Sequence, residues 1–198
     1  IGKVTKEILF KGLKFPDWRA IKLLAKLRNR KDDTIMLAIV EELAKDGLEV
    51  VDQTLYLKPL MPACGVLSRR KPTADEEDDI RFGFVTAKAM GGMDIGQTVV
   101  VKNKAVMAVE AIEGTDACIR RGGALGREKS VVVKVAKPNQ DPRFDVPAVG
   151  KQTILSMIES QCNVLALEAG RTLFVEQDEV LNLANRHNIC ICAVDKNF

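Results

Sequence analysis

Residues able to do chemistry gather in two short stretches of this chain. The first, "VEAIEGTDACIRRGG" (109–123), sets Glu110, Glu113 and Asp116 close together around a Gly-Thr pair and follows them with Arg120 and Arg121. The second, "KVAKPNQDPRFDVPAVG" (134–150), carries Lys134, Lys137, Gln140, Asp141, Arg143 and Asp145. Pro138, Pro142 and Pro147 stiffen it and favour fixed side-chain placement. A further acid, Asp94 in "DIGQ", stands just ahead of an apolar run. Mg²⁺ is a hard ion that uses one or two protein carboxylates and fills its shell with water and phosphate oxygens. Lys and Arg then offset the remaining phosphate charge. Acids and cations mixed in one place therefore suit a metal-bound phosphoanhydride. A neutral sugar or a peptide would not require both. Taken alone, each stretch reads as a solvated loop with ordinary ion pairs. The combination favours a site, because both follow expected strands, and loops at strand ends are where α/β sheets bind ligands.

Other motifs point away from other chemistry. "GGALGREKS" has glycines and a Lys-Ser, but not at phosphate-loop spacing, and reads as a surface loop. The single histidine, His187, falls near the end of an expected amphipathic helix and reads as a helix-end residue. Cys64, Cys118, Cys162, Cys190 and Cys192 are odd in number and suggest no disulfide framework. Cys190 and Cys192 share one face of "ICICAV", but no third or fourth zinc ligand is in view, so they read as core. A Cys-His nucleophile pair has no support. Hydrophobic content of 46% and charged content of 29% over 198 residues describe a folded globular chain. A net charge of +3 with interspersed signs is weak grounds for nucleic acid, and one Trp, one Tyr and seven Phe are too few to stack bases. No apolar run approaches the roughly 20 residues that span a bilayer.

The elements that must position these residues follow from pattern. "PDWRAIKLLAKLRNR" and "DDTIMLAIVEELAKDG" read as helices, the second capped by Asp33 or Thr34 and stopped at Gly47. "LEVVDQTLYL" reads as short strands. Prolines, a basic triplet and an acidic run over 59–75 mark a boundary, and the acids suit the first turn of a helix through "EEDDIRFGFVTAKAMGG". Beyond it come a hairpin about Lys102-Asn103-Lys104, a strand "SVVVKVAK", a helix "GKQTILSMIESQ", strands "NVLALEAG" and "TLFVE", a helix "QDEVLNLANRHN" and a last strand "ICICAV". Alternation predicts an α/β fold of two small domains, each a sheet covered by helices and joined by a short linker. The expected divisions are 1–68 as the helix-rich remainder of an N-terminal domain, 69–93 as linker and connecting helix, and 94–198 as the C-terminal domain carrying the charged loops. The opening "IGKVTKEILF" lacks Met and is already amphipathic, so it reads as the interior of a longer protein.

Four stretches taken together, "DIGQTVVV", "VMAVEAIEGTDACIRR", "VVVKVAKPNQDPRFDVPAVGKQTI" and "VLALEAGRTLFVEQDEVLNLAN", resemble the LpxI-type UDP-2,3-diacylglucosamine pyrophosphatases of bacterial lipid A biosynthesis. The resemblance covers essentially the whole chain and is densest from Asp94 to Leu183. It implies hydrolysis of the substrate diphosphate to UMP and 2,3-diacylglucosamine 1-phosphate (lipid X). It also implies a divalent metal, Mg²⁺ or another such as Mn²⁺, and two domains with the lipid product between them. An aspartate in the region matching "QDPRFDVP" is critical in such enzymes, which leaves Asp145 or Asp141, with Asp145 preferred. Family members begin with a further strand and glycine-rich turn that this sequence does not contain.

The expected metal ligands come from Asp145, Asp116, Glu113, Glu110 and Asp94. Lys134, Lys137, Gln140, Arg143, Arg120 and Thr115 are expected to bind substrate. The two acyl chains require apolar surface, for which Phe82 and Phe84 are available, although a core role is the simpler reading. The basic "KLLAKLRNRK" reads as the wet face of a helix in preference to a lipid-headgroup contact. Expected partners are the lipid-linked sugar nucleotide and, transiently, the inner membrane surface; nucleic acid is not expected, and a homodimer is allowed. The expected location is the cytoplasm, peripheral to the inner face of that membrane. Competing classes are a non-catalytic nucleotide- or lipid-binding module and a sugar-nucleotide transferase.

Overall fold

The computed structural model describes residues 17–27 and 32–198. The chain divides into two compact units. One takes Ile1–Leu55 together with Asp141–Asp145, and the other takes Tyr56–Gln140 and Val146–Phe198.

Helices make up the regular structure of the first unit's described residues. Helix α1 (Trp18–Ala25) starts where the Asp17 carboxylate accepts the Ala20 N–H at 2.7 Å. Helix α2 (Asp32–Ala44) ends at Gly47, whose φ of 74° lets the Gly47 and Leu48 N–H groups turn back onto the Ala44 and Leu43 carbonyls. Arg19 ties the two helices by reaching Glu42 at 2.8 Å and Asp46 at 2.7 Å, while Lys45 also bonds Glu42. Met36 and Val40 of α2 form a small core with Phe144, backed by Ile39 and Val50.

The short strands expected in "LEVVDQTLYL" are not found. Asp52 Oδ1 accepts both the N–H and the hydroxyl of Thr54, each at 2.7 Å, and this cap opens helix α3 (Thr54–Leu57) and a 3₁₀ turn (Lys58–Leu60). A local side-chain cap outweighs the β preference of Val and Tyr here. Helices and turns account for the described regular structure from Trp18 to Leu60.

The second unit is an α/β layer structure around a six-stranded sheet of order β1-β8-β6-β4-β2-β3. The strands are β1 (Gly65–Val66), β2 (Thr98–Lys102), β3 (Ala105–Val109), β4 (Ser130–Lys134), β6 (Cys162–Glu168) and β8 (Cys190–Val194). β4, β6 and β8 run parallel, while β2 is antiparallel to both β4 and β3. β5 (Ala148–Val149) and β7 (Leu173–Phe174) pair separately. Unbroken valine runs suit strands covered on both faces. Val99, Val101, Val131 and Val133 meet helix α4 (Ala74–Gly92), which presents Ile80, Phe84, Ala87 and Met90. Val100, Val132, Leu165 and Ile191 meet α5 (Thr115–Gly126), α6 (Lys151–Glu159) and α7 (Gln177–Arg186) on the other face. Phe84 is core as expected, and Phe82 is exposed. His187 caps the C-terminal end of α7. Thr73 and Glu76 form a capping box at the start of α4. The expected hairpin turns through Asn103 and Lys104, both in the left-handed region, and the buried Asp79 accepts both of their N–H groups. Among the described residues no helix is long and apolar enough to cross a membrane.

"GGALGREKS" corrects the surface-loop reading, because its glycines lie inside α5. A Cβ on Gly122 would sit 2.5 Å from Val100 Cβ, and one on Gly123 would sit 2.3 Å from the Ser160 carbonyl oxygen. The residues are small because the helix is pressed against the sheet.

Two outcomes are expected. Gly122→Ala should lower the unfolding free energy by about 1–3 kcal/mol in urea titrations, the usual cost of overpacking. Gly92→Ala, whose new Cβ would meet nothing closer than Pro138 Cγ at 3.8 Å, should be near neutral. In the first unit, hydrogen bonds from Lys45 and Arg19 draw the Glu42 carboxyl down from 4.5 to about 2. A depressed carboxyl stabilises the fold above its unfolded pKa and stops doing so as pH falls through its folded one. Far-UV circular dichroism from pH 5 to 2 should therefore show α1 and α2 loosening across the window from about 4.5 to 2, more steeply in wild type than in Glu42→Gln.

Candidate functional site

Parallel β4 and β6 deliver their C-terminal ends to one edge of the sheet, and antiparallel β2 and β3 bring a start and an end to the same edge. Thr98 faces Lys134 across the β2–β4 ladder, and the Glu110 N–H bonds the Thr98 carbonyl. Helix α5 begins beside them. Its N-cap is Gly114, with a φ of 85° that a side chain would strain, and no side chain caps its first turn.

Lys134 joins these ends. It is buried, and its Nζ donates to Thr115 Oγ1 at 2.9 Å and to the Ala148 carbonyl at 2.9 Å. The Thr115 hydroxyl in turn donates to Glu110 Oε1 at 3.0 Å. Ala148 lies two residues ahead of Gly150, the N-cap of α6, which also lacks a side-chain cap. A buried ammonium thus stands between the approaches to two uncapped helix N-termini. Such ends carry partial positive charge and free N–H donors, so the setting suits phosphate oxygens. Glu110 has its second oxygen, Oε2, buried without any hydrogen-bond partner.

A second polar group shares the same edge. The Glu168 carboxylate, buried at the end of β6, accepts both bonds of Lys88 Nζ (2.9 and 3.0 Å) and the Ala136 N–H at 2.8 Å. Arg171 reaches the Lys137 carbonyl at 3.2 Å. These contacts fix the backbone from which Lys137 leaves, and Lys137 Nζ meets Asp94 Oδ1 at 2.6 Å with both side chains largely buried. The next residues turn at Gln140, whose N–H bonds the Lys137 carbonyl.

The expected residues divide accordingly. Lys134, Thr115 and Glu110 are in direct contact, and Asp94 and Lys137 pair with each other. Asp116 sits half-buried in the first turn of α5. Glu113 is engaged by Arg121 at 2.5 Å; burial works against its charge, but that bond and the N–H groups of Glu113 and Ala111 hold its carboxyl below the usual range. Arg120 is not with this group, since it bonds Glu159, the last residue of α6, at 2.7 Å.

Asp141, Arg143 and Asp145 belong to the first unit. The Asp141 carboxylate accepts the Arg143 N–H and the Arg143 guanidinium (2.7–3.2 Å), while the Phe144 N–H closes the turn onto the Asp141 carbonyl at 3.3 Å. Arg143 holds the Asp141 carboxyl below its ordinary value. Asp145 stands next in the left-handed region, at φ 51°. Glu168, Lys88 and Arg171 escaped sequence reading. The available signal was a carboxylate ending the apolar run "VLALE", where a fully covered strand should carry no charge without partners.

Among the described residues no three His, Cys, Asp or Glu side chains group into a metal site. The described residues thus offer no closed protein cage. Mg²⁺ commonly takes one or two carboxylates and completes its shell from phosphate and water. Glu110, with an unsatisfied hard oxygen beside Thr115, and Asp116, in the first turn of α5, are the carboxylates that could serve in that way.

Comparison with known proteins shows the family. The sequence model of the LpxI C-terminal domain matches residues 63–192, and that of the LpxI N-terminal domain matches residues 1–60. The chain belongs to the LpxI family. One relative, named UDP-2,3-diacylglucosamine pyrophosphatase LpxI and found in Caulobacter vibrioides (strain ATCC 19089 / CIP 103742 / CB 15), is 31% identical over 191 residues, covering 91% of this chain and 68% of the relative. The LpxI C-terminal match includes Asp141–Asp145 although these residues fold with the first unit.

Cysteine chemistry is confined to one place in the structure. Cys64 is exposed, and the other four thiols are buried. Burial, with Glu110 nearby, pushes the Cys118 thiol up to about 12. Iodoacetamide at pH 8 should add one label, at Cys64, by intact mass. The remaining four should react only in denaturant. Since partial desolvation and Asp195 also raise the Cys64 thiol, its labelling should be slower than that of a free thiol.

Proposed function

We propose that this chain hydrolyses the diphosphate of UDP-2,3-diacylglucosamine, giving UMP and 2,3-diacylglucosamine 1-phosphate for lipid A biosynthesis, with a divalent metal. Membership of the LpxI family and the activity named for the Caulobacter relative support the substrate. The observation that carries the chemistry is the buried Lys134 ammonium, held between Thr115, the first residue of α5, and Ala148, two residues ahead of the α6 N-cap.

In this reading a water oxygen bonds to one phosphorus as the bridging P–O bond breaks, and each product leaves as a phosphate monoester. Lys134 and the first-turn N–H groups of α5 oppose charge building on the phosphoryl oxygens. The Thr115 hydroxyl, bonded to Lys134 and Glu110, holds that ammonium in place. Lys137, already charge-paired with Asp94, offers a second cation at the edge, and Gln140 adds a hydrogen-bonding side chain. Asp145 accepts the proton of the water. Asp145 is preferred on the family resemblance; Asp141 is the alternative, and Arg143 bonds its carboxylate and holds its pKa low, which makes it a poor base at neutral pH. Arg143 contributes charge only after leaving Asp141. Arg120, tied to Glu159, is the least supported of the expected substrate contacts. Glu110 and Asp116 would hold Mg²⁺, which when bound polarises phosphoryl oxygens. The substrate's two acyl chains make contact with a membrane surface part of the same proposal.

The test is UMP release from UDP-2,3-diacylglucosamine, with water as the only acceptor. EDTA should abolish it and Mg²⁺ or Mn²⁺ restore it. Lys134→Ala should cost about 10- to 1,000-fold in kcat, the range for removing one group that stabilises transition-state charge. Asp145→Ala should cost on the order of 100-fold or more. Retained turnover in Asp145→Ala would assign the proton acceptor elsewhere. Absence of UMP from the wild-type chain would favour a binding module.

A further inference from the structure

We infer that Phe144 is the positioning residue for the Asp145 carboxylate, acting through its seat in the core of the first unit. The inference rests on the role proposed for Asp145 and concerns what holds that side chain in place.

Asp141–Asp145 is a short excursion of the chain, flanked on both sides by residues of the second unit yet packed with the first. Inside it the Asp141 carboxylate accepts from Arg143 and the Phe144 N–H bonds back to the Asp141 carbonyl, which gives the turn its shape. The ring seats the turn in the core of the first unit. Phe144 is 0% exposed and lies against Met36 and Val40 of α2, with Ile39 and Val50 beside them. Asp145 follows at φ 51°, in the left-handed region that aspartate adopts in turns. The peptide joining the two is planar and stiff. With the ring fixed on one side and the left-handed backbone set on the other, the direction in which the Asp145 side chain leaves the chain is fixed too.

Asp141 and Arg143, bonded to each other, complete a turn of defined shape around this anchor. The five residues therefore form a small lever with a hydrophobic root and an acidic tip. A displacement of about 1 Å at a reacting group can cost on the order of 100-fold in rate, so a change at the root should be read at the tip.

The experiment uses the full chain. Phe144→Ala should lower kcat for UMP release by about tenfold or more and leave KM within about twofold. Phe144→Leu, which refills most of the space, should recover most of the loss. Val40→Ala trims the same seat from α2 and should give a smaller fall in kcat, which keeps the test readable if Phe144→Ala folds poorly. In an Asp145→Asn background, Phe144→Ala should cost little more, because both changes remove the same contribution. Amide hydrogen exchange over residues 139–147 should quicken in Phe144→Ala. The inference is overturned if Phe144→Ala keeps wild-type kcat, if the loss falls on KM, if Leu does not rescue, or if the two substitutions multiply as independent effects. A wild-type chain that releases no UMP defeats the functional reading instead. Exchange over 139–147 would still report whether Phe144 anchors the turn, and unchanged exchange would overturn the anchoring as well.

Discussion

The polar edge of the second unit depends on how closely one helix can approach the sheet. Gly122 and Gly123 bring α5 so near to Val100 and Ser160 that even a methyl group has no room. This close seat carries the N-terminal end of the same helix to the ends of β2 and β4, where Thr115 can touch both Lys134 and Glu110. A helix standing off by the width of an ordinary side chain would leave those polar groups apart, and a buried ammonium without partners is not stable. The glycines thus serve packing directly and the charged cluster indirectly.

A sheet covered on both faces has few places for charge. Its strands are built from valine, leucine, isoleucine and cysteine, and polar side chains are pushed to their ends. Lys134 closes β4 and Glu168 closes β6, each buried and each supplied with partners. Burying such groups is costly, and removing one partner is worse, which ties the cluster's geometry to the fold's stability. Two aspartates four residues apart in the first unit share one turn. Asp141 closes it with Arg143, and Asp145 follows in the left-handed region.

Much of the second unit was legible in the residues. The hairpin at Asn103-Lys104, the valine strands, α4, α6, α7 and the last strand all have periodicities or punctuation that survive packing. The charged loops were also legible as strand-end loops, and the resemblance to LpxI proteins holds over the chain. The misses have physical causes. Glycines in α5 read as a loop because the reason for them, a neighbouring strand, is distant in sequence. The run from Leu48 to Leu57 read as strands because propensity gave no weight to one Asx cap. Partners such as Arg120 with Glu159, or Lys88 with Glu168, are set by tertiary geometry alone. Phe144, between two charged residues in a proline-rich loop, offered no period from which to infer burial.

The placement of Phe144 also bears on how the chain must be made. During synthesis from the N-terminus, α2 emerges long before residue 144, so Met36 and Val40 wait with part of their apolar surface open to water. The first unit cannot close its interior until most of the second has left the ribosome. Its maturation is therefore coupled to a segment translated much later, and a nascent chain halted between the two would expose a sticky, half-built core.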